Sequence, residues 1–248
     1  MVRTATGRRG LVVLLHGFLG ARLQMLPLAV ALSSQYDVLN FGYRSRAAPL
    51  REHSEGLIDA VTTHLERQNV FPSSVNFVSH SFGGLVVHRA FAAGLGAVLG
   101  DHLSSARCVM IAPPVQGAAL ARAFHRDNVA GPQVVRDLVH GAARVVLGSH
   151  AGYELLMKDE QWFAAQLGRI PDQVQVLVVA GTGGRLNPLI ADESDGIVGK
   201  AESILHRPHY RKELRLTHNL MLYSPSVISC IKDFLDGVEV GTLTKPPK

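Results

Sequence analysis

The chain has 248 residues, 47% hydrophobic and 18% charged, with 25 Lys and Arg against 20 Asp and Glu for a formal net charge of +5. That composition excludes a disordered chain, and no apolar run approaches the roughly 18 residues that cross a bilayer. The positive balance favours anionic partners, but no zinc-finger, RRM, KH or basic-region pattern accompanies it. Nucleic acid is therefore excluded as a partner, and weak attraction to acidic lipid head groups is the more useful implication.

Residues 1–9 are basic and free of acids, and an apolar run follows at residues 11–15. The run is too short for a secretory leader and ends in His16-Gly17, so it reads as a core strand, with a trimmed organellar transit sequence as the alternative. Further strands are predicted at residues 38–41, 75–79, 109–111, 174–180 and 213–216, rich in Val and Leu as strands covered on both faces should be. Helical patterns fill the gaps. Leu57, Ile58, Val61 and Leu65 share one helical face. Val227, Ile228, Ile231, Phe234 and Leu235 share another, with Ser224 as cap and Pro225 in the first turn. This alternation predicts a single α/β domain over residues 1–248 with a mostly parallel sheet. The tail at 241–248 reads as frayed. Cys108, in a strand, and Cys230, in a helix, have neither disulfide nor metal spacing and are expected to be buried free thiols, which favours a reducing, cytoplasmic location.

One interval is too long for a simple crossover: about sixty residues separate the strand ending near Ile111 from that starting near Val174. A helical cap inserted at about residues 118–170 is the expectation. Within it, Val134, Val135, Leu138, Ala142, Val145 and Val146 form an apolar face, and Arg136, His140 and Arg144 lie along another. The plainer expectation is a core-packing helix with a solvated basic face. The sharper one is a lid resting on anionic lipid, a peripheral membrane contact.

The most informative segment is Val75-Asn76-Phe77-Val78-Ser79-His80-Ser81-Phe82-Gly83-Gly84, a strand that turns through a serine into a glycine pair and a helix. It has the pattern of a nucleophile elbow, with Ser81 exposed at the carboxyl end of a sheet in a strained conformation. Gly83 lets the helix pass close to the strand, and Ser79 stands where the usual pattern has glycine. A serine hydroxyl needs a base and a carboxylate that fixes the base's tautomer, here in the chain order serine, acid, histidine. Asp195-Gly196-Ile197-Val198 follows one strand and Thr217-His218-Asn219 the last. Both lie at carboxyl strand ends, where open α/β sheets gather their sites. Asp192 and Glu193 compete with Asp195, which is favoured because Gly196 permits a tight turn and an apolar pair follows.

Acyl transfer also needs two N–H donors for an oxyanion. Phe82 supplies one, and the turn Leu15-His16-Gly17-Phe18-Leu19-Gly20 the other, from Phe18. His16 holds that turn and is not a base. Gly181-Thr182-Gly183-Gly184 lacks the spacing of a dinucleotide or P-loop motif, and no residue set has metal-ligand spacing, so neither cofactor nor metal is expected.

Together, H-G-F at 16–18, S-H-S-F-G-G at 79–84, D-G-I-V at 195–198 and T-H at 217–218 resemble the α/β-hydrolase superfamily, in its lipase and esterase branch, over nearly the whole chain. The likeness is nearest to small members related to GPI inositol-deacylases and triacylglycerol lipases, which similarly carry an A/T-P-x-x-G turn after the strand beyond the elbow; Ala112-Pro113-Pro114-Val115-Gln116-Gly117 occupies that place. The resemblance implies an α/β-hydrolase fold and a Ser81, Asp195, His218 triad with Phe18 and Phe82 as oxyanion donors. It implies a serine hydrolase acting on carboxylic esters of small or lipid molecules. Acyl transfer on the same triad and a non-catalytic ligand-binding protein are the alternatives.

Overall fold

Side-chain parity along the strands decides the layers of the computed structural model, which describes residues 10–68, 72–117, 119–125, 127–184, 190 and 193–245. In β1 (Leu11–Leu15), Leu11, Val13 and Leu15 face one core, and Val12 and Leu14 the other. Strands β3 (Val75–His80), β4 (Arg107–Ile111) and β5 (Gln175–Gly181) repeat this division. A near-continuous apolar run is what burial on both faces requires.

Among the described residues seven strands form one sheet, ordered β2-β1-β3-β4-β5-β6-β7, with β2 at Asp37–Phe41, β6 at His209–Leu214 and β7 at Thr242–Thr244. All neighbours are parallel except β6 and β7. Helices α1 (Leu26–Leu32) and α9 (Pro225–Leu235) cover one face through Leu28, Leu32, Val227 and Ile231. The other face is covered by α2 (Leu50–Glu66) and α3 (Phe82–Ala90) through Leu57, Val61, Leu85 and Val86. Each such side chain, fully buried, contributes about 1.5–3 kcal/mol. Cys108 and Cys230 are buried free thiols on opposite faces, and burial pushes them up to about 12 and about 11.

After α3 the chain continues through a π-type segment, Phe91–Leu95, the short α4 (Gly96–Leu99) and a 3-10 turn, Gly100–Ser105. Contrary to expectation, the whole run Phe82–Ser105 is long and apolar enough to cross a bilayer, with mean hydropathy 1.5. Its apolarity serves the core instead, since 61% of that window is buried. Between β4 and β5 lie α5 (Ala119–Arg122), α6 (Gln133–Leu147), α7 (Ala151–Met157) and α8 (Glu160–Leu167), the last capped by Asp159 Oδ1 accepting from Trp162 N–H at 2.9 Å.

Three further expectations are corrected. The last parallel strand begins at His209 and ends at Leu214, not at 213–216. Its two buried side chains, His209 and Arg211, are polar, which hides it from an apolar pattern: Arg211 donates to Ser203 Oγ, Lys200 O and Glu213 Oε1. The tail is not frayed through its first residues, because Thr242–Thr244 pairs with His209–Arg211. Finally, α6 does not pack in the core. None of its residues is buried, and Val134, Leu138 and Val145 are more than 70% exposed (78%, 72% and 75%). Its apolar arc is wide enough to serve two directions, one outward and one facing a cavity.

Candidate active site

The chain leaves β3 at His80 and enters α3 at Phe82, so one residue must reverse it. That residue is Ser81, at φ 52°, ψ −125°, a region that costs a side-chain-bearing residue on the order of 1–3 kcal/mol. The turn is held by Ser81 N–H donating to Ile111 O and Gly84 N–H donating to Ser81 O, both at 2.8 Å. A Cβ on Gly83 would lie 2.6 Å from His16 O, and one on Gly84 would lie 2.8 Å from Pro113 Cβ. Ser79 fits where glycine is usual because its hydroxyl, fully buried, donates to Val109 O at 3.3 Å.

The turn after β5 builds the acid around one carboxylate. Asp195 Oδ1 accepts from the N–H groups of Ile197 (2.9 Å) and Val198 (2.8 Å), while Gly196 takes the φ of +97° that closes the turn. The other oxygen, Oδ2, accepts from His218 Nδ1 at 2.6 Å. His218 N–H also donates to Asp195 O at 3.0 Å, so main chain and side chain both join the two residues. Both are buried. With Nδ1 committed as donor, Nε2 is the ring nitrogen left to accept a proton. Glu193 instead pairs with Lys200 at the surface, and Asp192 lies outside the described residues.

Ser81 Oγ makes no hydrogen bond among the described residues in this conformation. The elbow reaches the base segment through the preceding residue, since His80 Nε2 donates to His218 O at 3.2 Å.

The turn after β1 closes the other side. A Cβ on Gly17 would come within 3.0 Å of Ser81 Cβ, so the H-G-F turn abuts the elbow. The N–H groups of Phe18 and Phe82 have no acceptor among the described residues, and their rings meet edge to face at 5.7 Å. His16 Nδ1 donates to Gly17 O at 2.9 Å, and burial lowers its ionisation below the ordinary histidine value. It holds the turn as expected. Tyr43, which sequence reading missed, donates from its hydroxyl to His16 O at 2.7 Å and stacks on the His16 ring at 4.4 Å. The only signal was an aromatic just past β2, at the carboxyl edge where the site gathers.

Glu202 was also missed. Its carboxylate accepts from Gly199 N–H at 2.7 Å, beside the acid turn, and from Ala119 N–H, the first residue of α5. Burial raises its ionisation above the ordinary carboxylate value. One side chain thereby ties the Asp195 loop to the start of α5.

Between these turns and the helices that separate β4 from β5 lies a cavity of about 470 Å³. Its walls include Phe18, Phe82, Leu120, Phe124, Val139 and Val146, and among the described lining residues only Ser81 has a polar side chain. Elsewhere, the N–H groups of Thr182, Gly183 and Gly184 donate to Leu214 O, Leu216 O and Ser194 O, so that glycine-rich loop packs the acid turn and offers no phosphate cradle. No cluster of metal-ligating side chains occurs among the described residues.

By sequence, no protein-family model and no curated protein matches the chain. By structure, it is similar to the mature form of Bacillus licheniformis lipase BlEst2, with a TM-score of 0.65, 16% identity and coverage of 95% of both chains. It is also similar to phospholipase PlaB from Legionella pneumophila (TM-score 0.61, 16% identity), covering 94% of this chain and 60% of that one. Pyrococcus furiosus esterase Pf2001 matches with a TM-score of 0.56 and 14% identity, over 94% of this chain and 85% of that one. These likenesses do not single out the inositol-deacylase-like branch. They and the strand order show that the chain has the α/β-hydrolase fold.

Proposed function

From an α/β-hydrolase fold carrying this site, we propose that the protein is a serine hydrolase that cleaves carboxylic esters of hydrophobic substrates. The observation that carries the reading is the Asp195–His218 pair at 2.6 Å, joined through His80 to the elbow whose strained Ser81 lies on the wall of an apolar cavity. Solved relatives in fold named as a lipase, a phospholipase and an esterase support an ester as substrate.

In the proposed reaction Ser81 Oγ attacks the acyl carbonyl as His218 Nε2 takes its proton. The serine–histidine hydrogen bond forms when substrate is bound, as catalytic hydrogen bonds often tighten only then. Asp195 holds the Nδ1–H tautomer and stabilises the imidazolium. The free N–H groups of Phe18 and Phe82 receive the oxyanion. His218 returns the proton to the leaving alcohol, and water activated by the same ring then releases the acid and restores Ser81. The inserted helices act as a cap whose apolar wall holds the acyl chain. Labelling with a fluorophosphonate and locating the adduct by mass spectrometry tests this: an adduct on Ser81, absent from Ser81→Ala, is expected, and no adduct overturns the reading.

The apolar lining also favours a second reading, transfer of the acyl group to an alcohol other than water, since apolar walls beside an acyl-enzyme disfavour water. Product analysis with competing alcohols separates the two. The outward valines of α6, with Arg136 and Arg144 on the same helix, support contact with an anionic lipid surface. Charge reversal at both arginines is expected to weaken sedimentation with anionic vesicles, and unchanged binding contradicts that contact.

A further inference from the structure

The hydrogen bond from elbow to base segment belongs to a side chain that the mechanism above does not use. His80 ends β3 and is 3% exposed. Its Nε2 donates to His218 O, so Nδ1 carries the lone pair, and that atom is buried without a partner among the described residues. The main chain of His218 is therefore gripped from both sides, its N–H by Asp195 O at 3.0 Å and its carbonyl by His80 at 3.2 Å. The two imidazole rings lie 4.6 Å apart, tilted by 48°. Ser81 follows His80 directly, so this one side chain spans the distance between nucleophile and base.

We infer that His80 is a positioning residue, setting the register of His218 against Ser81 while presenting an uncharged ring to the imidazolium that forms there. The inference rests on the serine-hydrolase reading. Two requirements select the residue type. The buried carbonyl of His218 needs a donor, which no aliphatic side chain supplies. The donor must also be neutral, because a cation there would oppose the proton that His218 takes up. Burial, with the nearby His218, pushes His80 down to about 3, which keeps it neutral.

Glutamine places an N–H at the reach of imidazole Nε2, leucine removes the donor, and asparagine holds it too short. His80→Leu is expected to lower kcat on a p-nitrophenyl ester by about 10- to 100-fold with KM within about twofold, the cost of misplacing the base by roughly 1 Å. His80→Gln is expected to recover to within about fivefold of the parent, and His80→Asn to resemble His80→Leu. Proton NMR supplies a readout independent of turnover: the downfield His218 Nδ1–H resonance persists in the parent and His80→Gln and shifts or broadens in His80→Leu. If His80→Leu does not fold, the comparison of Gln with Asn decides. Equal loss in Gln and Asn, or full kcat and an unchanged resonance without the donor, overturns the inference. A parent without esterase activity sinks the hydrolase reading alone, since the resonance still reports the register.

Discussion

Asp195 and His218 share a 2.6 Å hydrogen bond in which only one carboxylate oxygen takes part, the other being held by the N–H groups of Ile197 and Val198. The carboxylate cannot rotate without losing two backbone donors. Asp195→Asn keeps an oxygen for those donors but turns an NH₂ toward Nδ1, forcing the tautomer that cannot accept the serine proton. The expected fall in kcat is about 10³- to 10⁴-fold with little change in KM. Glu193→Gln, at the surface pair with Lys200, is expected to leave kcat within about twofold. Steady-state kinetics on both variants checks the assignment.

Acid should destabilise the fold through its buried histidines. Burial is the largest cause that pushes His80 down to about 3 and His88 to about 4, from 6.5. The unfolded chain thus binds more protons as pH falls through 6.5, so unfolding free energy declines with acidification, down to about pH 4 for His88 and about 3 for His80. Each adds a slope of about 1.4 kcal/mol per pH unit within its window. Denaturant unfolding between pH 7 and 4 is expected to show a slope smaller by about one proton in His88→Gln.

The elbow's geometry makes a steric expectation. A methyl on Gly83 would meet the backbone oxygen of His16 at 2.6 Å, which has no flexible end to give way. Gly83→Ala should cost about 1–3 kcal/mol as overpacking. Gly141, in α6 with nothing within 4 Å, offers the opposite case: Gly141→Ala should stabilise by about 0.5–1 kcal/mol. Thermal melts of the two variants should move in opposite directions.

What was legible in the sequence had a local signature. Strands β1, β3, β4 and β5 announce themselves because burial on two faces demands continuous apolar residues. Ser81 and Gly83 stand out because a sharp strand-to-helix turn needs those residue types, Asp195 because a tight turn follows it at Gly196, and His218, one of twelve histidines, only by its place after the strand that follows the acid. What stayed hidden depends on distant partners. The buried side chains of β6 are His209 and Arg211, and Arg211 is held by three polar acceptors. Glu202 resembles any surface acid until Ala119 and Gly199 close on it. The apolar residues of α6 were visible, but their division between cavity and solvent follows from where the helix lies.

The cavity wall offers a selectivity test. Ala143 lines it from α6, and Ala143→Phe places a ring where an acyl chain would run. The palmitoyl-to-acetyl ratio of kcat/KM is expected to fall by about tenfold or more, since each methylene in an apolar pocket contributes about 1–3 kcal/mol. A panel of p-nitrophenyl esters measures it, and an unchanged ratio places the acyl chain elsewhere.

The central claim is that Ser81 performs covalent ester cleavage. Hydrolysis of p-nitrophenyl esters from acetyl to palmitoyl, by the parent and by Ser81→Ala, tests it most directly. Parent turnover that drops by about 10⁶-fold in the variant, or to background, is expected. Equal rates in both proteins would contradict it.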